Sequence, residues 1–165
     1  MANNAFYHMK VVGDSKNVEE FIRAMKWQGE YTVQGVGRVF NADVYEKEDD
    51  YAIIGGDCAW SVISAMRNEG NPNNIEKLSA RLNLAIEVYC EECGFEFQEH
   101  FLVKNGNVMI DECVDWEEYA VEDFETKEEA EEELEVTFTD EERANRRAND
   151  YRITRGGFDS WDFEI

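Results

Sequence analysis

Negative charge is concentrated in one stretch of this 165-residue chain, and this restricts where that stretch can lie in a folded protein. The formal net charge is −22, from 16 basic and 38 acidic residues. Counted along the chain, residues 1–82 sum to −3, residues 83–142 to −20 and residues 143–165 to +1. A surface with this charge repels nucleic acid and anionic membranes and attracts basic partners over about a Debye length. The charge therefore indicates a basic partner and argues against direct binding to nucleic acid or to a membrane.

The composition indicates a folded domain despite this charge. Hydrophobic residues make up 43% of the chain and aromatic residues 13%, which is too apolar for a disordered protein. No apolar run approaches the roughly 20 residues of a membrane-spanning helix, and the first residues lack the features of a signal peptide. Four cysteines in such a chain are expected to be reduced thiols. We therefore expect a cytoplasmic protein.

Hydrophobic periodicity predicts strands that alternate with helices in the first half of the chain. Apolar residues at i, i+3, i+4 and i+7 from Val18 indicate an amphipathic helix. In the second helical region, Trp60, Ile63 and Met66 are expected to form the buried face. The predicted strands are 5–12, 31–45, 51–54 and 84–89, and the predicted helices are 15–27, 60–66 and 75–82.

A hairpin is predicted after these elements, because Asn105-Gly106 separates the β-prone runs 95–103 and 108–114. Phe158, Trp161 and Phe163 are expected to dock on the sheet. The order β-α-β-β-α-β with a trailing hairpin is typical of an α+β sandwich, in which two helices cover one face of an antiparallel sheet.

The order of these elements and three local strings resemble the YubB-type ferredoxin-like proteins of phages, plasmids and other mobile elements. The strings are NAFYHMKVVGD at 4–14, AWS at 59–61 and YCEECGF at 89–95. The chain lacks two features of that family, the Asn-Trp-Gly-type string before the second strand and the prolines after Ala-Trp-Ser. The resemblance implies a ferredoxin-like domain at 1–115 and a mobile-element origin, and it brings no catalytic residue.

Two cysteines have the spacing of half a zinc site. Cys90 and Cys93 could bind one metal ion from a tight turn. Cys58 and Cys113 do not form a second pair with the Cys-x-x-Cys spacing. A nucleophilic pair of Cys93 with His100 would need a geometry that the sequence does not reveal. The sequence therefore predicts no enzyme, no metal site and no cofactor, with Cys90 and Cys93 as weak metal-ligand candidates.

The acidic tract, residues 111–142, is the candidate partner-binding segment. It lies mostly in a predicted acidic, partly helical C-terminal segment at 116–165, with helices at 128–135 and 140–150. Trp116, Phe124 and other apolar residues are interleaved in the tract, so it can be pinned to a core. The residues predicted to contact the partner are Glu117, Glu118, Glu122, Asp123, Glu125, Glu128, Glu129, Glu131, Glu132, Glu133 and Glu135.

A rigid surface dense in carboxylates can mimic DNA, which presents about one charge per 1.7 Å of axis to a Lys/Arg-lined groove. Acidic phage proteins are often inhibitors of host defence nucleases, which the resemblance makes relevant. We therefore predict a non-enzymatic anti-CRISPR or anti-restriction inhibitor, acting in the host cytoplasm if phage-encoded, whose partner is a basic nucleic-acid-binding protein or nuclease. Two alternatives stay open: a zinc- or thiol-dependent module at Cys90 and Cys93, and an accessory protein whose acidity only aids solubility.

Overall fold

The computed structural model describes residues 3–120, 128, 131, 132, 152–158 and 160–165. This part of the chain includes seven strands, the three α-helices named below and a short 3-10 turn at Gly29–Tyr31. In chain order the elements are β1 (Asn4–Val12), α1 (Ser15–Met25), β2 (Asp43–Lys47), β3 (Tyr51–Ala59), α2 (Val62–Met66), α3 (Ile75–Leu82), β4 (Ala85–Glu92), β5 (Phe97–Lys104), β6 (Asn107–Ala120) and β7 (Arg152–Gly156).

The strands form one open antiparallel sheet in the order β2-β3-β1-β4-β5-β6-β7, so the fold is of the α+β class. The predicted hairpin is confirmed as β5 and β6. Its two turn residues, Asn105 and Gly106, have φ angles of 50° and 79°, the left-handed values that a two-residue hairpin turn requires. The last strand, β7, pairs with the end of β6.

One face of the sheet and the inner faces of the helices share a single hydrophobic core. Tyr7, Met9 and Val11, at alternate positions of β1, are fully buried and pack in the same cluster as Phe21 of α1 and Leu78 of α3. The apolar face predicted for α1 is therefore confirmed, because its periodic residues are the ones buried.

The β-rich segment predicted at 31–45 is wrong over most of its length. Only Asp43–Lys47 pairs as a strand, and the preceding residues form an irregular loop. A Cβ at Gly35 would overlap the carbonyl oxygen of Ala24, and one at Gly37 would overlap that of Ala65. These two glycines bring the loop against the helices, and it pairs with the sheet before β2 only at Val39, which forms an isolated bridge with Cys58 of β3.

The second helical region also differs from the prediction. Trp60 precedes α2 with a φ of 69° and is 37% exposed, and Ile63 is 51% exposed. The Ser61 side chain caps the helix by accepting a hydrogen bond from the Ser64 N–H at 3.0 Å. This cap starts the helix at Val62, so the buried face is formed by Val62 and residues 65–66.

Two further predictions concern the second half of the chain. Glu128, Glu131 and Glu132 are helical in the structure, and the rest of the helix predicted at 128–135 and the whole helix predicted at 140–150 lie outside the described residues. Strand β6 continues past residue 115, where the sequence placed a domain boundary. Among the described residues, no helix combines the length and the hydropathy needed to cross a bilayer.

Candidate partner-binding site

The acidic tract begins on an ordered strand. Strand β6 carries five carboxylates and no Lys or Arg between Asn107 and Ala120. At about 3.3 Å per residue, the carboxylates from Asp111 to Glu118 extend over about 23 Å. The strand pairs with β5 over its first nine residues and with β7 over its last five. These carboxylates are therefore attached to a hydrogen-bonded backbone.

The side chains of β6 alternate between the two faces of the sheet. Asp111 lies on the helix face and accepts a 2.8 Å hydrogen bond from the Arg67 guanidinium, which stacks on the Phe101 ring. Glu112 and Asp115 are exposed, and in the described part of the chain neither forms an ion pair. Their charges are thus available to an external cation.

Five of the eleven predicted contact residues fall within the described residues. Glu117 and Glu118 lie on β6, where Glu117 is opposite Arg155 and Glu118 is opposite Thr154 in the register. Glu128 and Glu132 are exposed, and Glu131 is half-buried. The other six lie outside the described residues: Glu122, Asp123, Glu125, Glu129, Glu133 and Glu135.

One apolar residue of the tract anchors it as the sequence predicted. Trp116 is only 4% exposed and sits at the point where β6 exchanges β5 for β7 as its partner. Its backbone N–H donates to the Glu96 carbonyl oxygen at 2.7 Å. The acidic strand is therefore anchored to the core between Asp115 and Glu117.

The segment formed by Phe158 and residues 160–165 covers the face of the sheet opposite the helices. The Trp161 ring stacks on Tyr89 at a centroid distance of 5.8 Å, and Phe163 packs on His8 at 5.0 Å. Phe158 meets the His100 ring edge-on at 5.8 Å. The predicted docking of these three aromatic residues on the sheet is confirmed.

A buried carboxylate holds this segment in place. Glu87 is fully buried, and its Oε2 accepts hydrogen bonds from the backbone N–H groups of Glu164 at 2.7 Å and Ile165 at 3.2 Å. Its Oε1 is 2.7 Å from Nε2 of His100. Sequence analysis did not single out Glu87. The only available signal was an acidic residue inside an apolar strand, which does not reveal its partners.

The cysteines do not form the arrangement that catalysis or metal binding requires. Cys90 lies in the core, where a hydrogen bond with the Cys58 thiol and burial raise its pKa, so the thiol stays protonated. Cys93 is exposed in the turn after β4. Across the residues that the structure describes, no three or more His, Cys, Asp or Glu side chains are grouped as metal ligands.

The His100 side chain also takes part in contacts within the fold. It is 5% exposed, stacks on Tyr89 at 4.2 Å and bonds to Glu87. In the register Tyr89 is opposite His100, so Cys93 lies four residues, or about 13 Å, further along the sheet. The structure therefore does not bring Cys93 and His100 together as a nucleophilic pair.

Exposed carboxylates on an anchored strand can attract and orient a cationic surface. No protein-family model, curated protein or solved structure matches this chain.

Proposed function

We propose that this protein is a non-enzymatic inhibitor that presents carboxylates to a basic, nucleic-acid-binding surface of another protein. The observation that carries the proposal is strand β6, which holds five carboxylates and no cation on a paired, anchored backbone. A solubilising tail has no need of such an anchor. A surface that must match the groove of a partner does need a fixed geometry.

The carboxylates of β6 form a linear array of negative charge. Five of them lie along about 23 Å of the strand, but successive side chains point to opposite faces, so one face presents only part of this charge. A single DNA strand carries one phosphate per about 3.4 Å. The Lys and Arg side chains of a groove that binds such a strand can pair with carboxylates as well, through charge-assisted hydrogen bonds. Because β6 contains no phosphodiester, a nuclease that binds it has no bond to cut.

The arrangement of the first strands supports the proposed relationship with YubB-type ferredoxin-like proteins. The element order β1-α1-β2-β3-α2-α3-β4, with the strand order β2-β3-β1-β4, is that of a split β-α-β unit, interrupted only by the break between α2 and α3. Such an origin on a mobile element would place the protein in the cytoplasm of a host cell. Its partner there would be a defence nuclease, either a CRISPR effector or a restriction enzyme.

The test is DNA cleavage by purified restriction and CRISPR nucleases in the presence of this protein. Reversal of the exposed β6 charges, in a variant with Glu112→Lys and Asp115→Lys, is expected to weaken inhibition about tenfold or more, because it replaces attraction by repulsion. The matched control is Glu48→Lys with Asp49→Lys, an equal charge change on exposed residues beside β2 at the opposite edge of the sheet.

The control variant is expected to inhibit like the wild type. Equal loss in both variants would mean that inhibition depends on net charge alone, which contradicts the strand-based proposal. Inhibition that survives both reversals and is lost on Cys93→Ser would instead favour the thiol-dependent alternative. Reversal of Glu128, Glu129, Glu131 and Glu132 to Lys extends the same test to the rest of the tract.

A further inference from the structure

A cleft on the helix side of the molecule differs from the acidic tract in the charge of the residues that line it. It lies between the irregular loop after α1 and the segment that joins α2 to α3, and its volume is about 510 Å³. Trp27 and Phe40, which are 40% and 55% exposed, supply aromatic surface to it. Pockets of this size that combine aromatic walls with a few polar groups are typical of small-molecule sites.

The loop that forms the cleft is held rigidly. The buried Asn71 side chain donates hydrogen bonds to the carbonyl oxygens of Gly35 at 3.0 Å and Val36 at 2.7 Å. A Cβ at Gly35 would overlap the Trp27 ring, so that ring rests directly on the loop backbone. The walls are therefore formed before any ligand arrives, which reduces the conformational entropy that binding would cost.

The backbone around Arg38 is fixed as well. Its N–H donates to the Ala65 carbonyl oxygen at 3.0 Å, and its own carbonyl oxygen accepts from the Ala59 N–H at 3.0 Å. The Arg38 side chain is exposed and makes no ion pair with any described residue. A fixed main chain thus presents a guanidinium whose hydrogen-bonding capacity is available.

The charge of the cleft is the decisive feature. Among the described residues that line it, Arg38 is charged and none is an Asp or a Glu, although the chain has 38 of them. Gln34, Ser64 and Asn68 add hydrogen-bonding side chains to the lining. A neighbouring hollow of about 450 Å³ shares Trp27 and Phe40 but includes Asp43, so the absence of acid is particular to the larger cleft.

We propose that this cleft binds a small organic anion that carries an aromatic ring. The ring stacks on the aromatic surface of Trp27 and Phe40, and the anionic group pairs with Arg38 through charge-assisted hydrogen bonds. The amide and hydroxyl side chains of the lining bind the remaining polar atoms of the ligand. This site lies apart from β6 and does not depend on the inhibitor function proposed above.

The proposal is tested by isothermal titration calorimetry of the full chain with two ring-bearing anions, adenosine monophosphate and indole-3-acetate. The half-ligands adenosine, inorganic phosphate and acetate are the comparison, since each lacks either the charge or the ring. At least one ring-bearing anion is expected to bind with a Kd below about 1 mM, and its half-ligands about tenfold more weakly. Binding of neither anion, or equal binding of the half-ligands, would overturn the proposal.

Matched variants locate the site. Arg38→Gln is expected to weaken binding about tenfold, whereas Arg23→Gln, on the exposed side of α1, leaves it unchanged. Trp27→Leu is expected to weaken binding and Trp60→Leu to leave it unchanged. Trp60 is a close control, because both tryptophans have a positive φ and similar exposure, 40% and 37%.

Equal effects within either pair of variants would overturn the assignment. Circular dichroism and the midpoint of urea unfolding confirm that each variant is folded. The charge-reversed variant Glu112→Lys with Asp115→Lys is expected to bind the ring-bearing anion like the wild type. An experiment that disproves ligand binding in the cleft is therefore distinguishable from one that disproves inhibition by the acidic strand.

Discussion

Two buried glutamates on neighbouring strands face opposite sides of the sheet and have different hydrogen-bond partners. Glu87 on β4 faces the covered side of the sheet and is satisfied by His100 and by the backbone N–H groups of Glu164 and Ile165. Glu99 on β5 faces the helices, is 4% exposed and accepts a 2.6 Å hydrogen bond from the Val62 N–H. Burial raises the pKa of Glu99, although this hydrogen bond opposes the shift.

The raised pKa of Glu99 makes its contribution to stability depend on pH. The folded protein holds the Glu99 proton more tightly than the unfolded chain does, so the stabilisation is complete below the unfolded pKa of about 4.3. It is lost as the pH rises through the folded-state pKa. We expect the free energy of unfolding of the wild type, relative to Glu99→Gln, to fall as the pH rises above the unfolded pKa. Urea unfolding of both proteins at increasing pH measures the difference, and a constant or rising difference would contradict the assignment.

Elements whose structure depends on neighbours in the sequence could be predicted, and elements set by distant contacts could not. The β5–β6 hairpin follows from the Asn105-Gly106 turn, and α1 follows from its periodic apolar residues. The loop at 31–42 escaped prediction because Gly35 and Gly37 pack on Ala24 and Ala65, contacts that the sequence does not reveal. For the same reason β3 runs on to Ala59, beyond the predicted end of the strand at residue 54.

The segment formed by Phe158 and residues 160–165 depends on the side chain of Glu87. Glu87→Ala removes the acceptor for two of its N–H groups and the partner of His100, and is expected to lower the free energy of unfolding by about 3 kcal/mol. Glu112→Ala, an exposed change opposite His100 on β6, is expected to cost no more than about 0.5 kcal/mol.

Hydrogen exchange adds a local measurement to this comparison. The amides of Glu164 and Ile165 are expected to exchange faster in Glu87→Ala than in Glu112→Ala, because only the first variant loses their acceptor. Equal exchange in the two variants would show that the aromatic contacts alone hold the segment on the sheet.

At the scale of the whole molecule, the acidic strand and the cleft lined by Arg38 lie in different regions of the surface. The sequence predicted the position of the acidic tract, and the structure adds that the tract starts on β6, anchored at Trp116. The Arg38 cleft could not be predicted, because its lining comes from separate segments that only the fold brings together. The two proposed sites therefore lie in different regions of the surface, one on the acidic strand and one in a cleft that no described acidic residue lines.

The central claim is that β6 occupies the surface where a nuclease binds DNA. The most direct test is fluorescence anisotropy of a labelled DNA duplex bound to restriction and CRISPR nucleases, held without divalent cation so that the DNA is not cut. The account predicts that this protein displaces the duplex competitively from at least one nuclease, with an apparent affinity that falls about tenfold or more between about 50 and 200 mM salt. Displacement from none of them, or displacement that salt does not change, would contradict it.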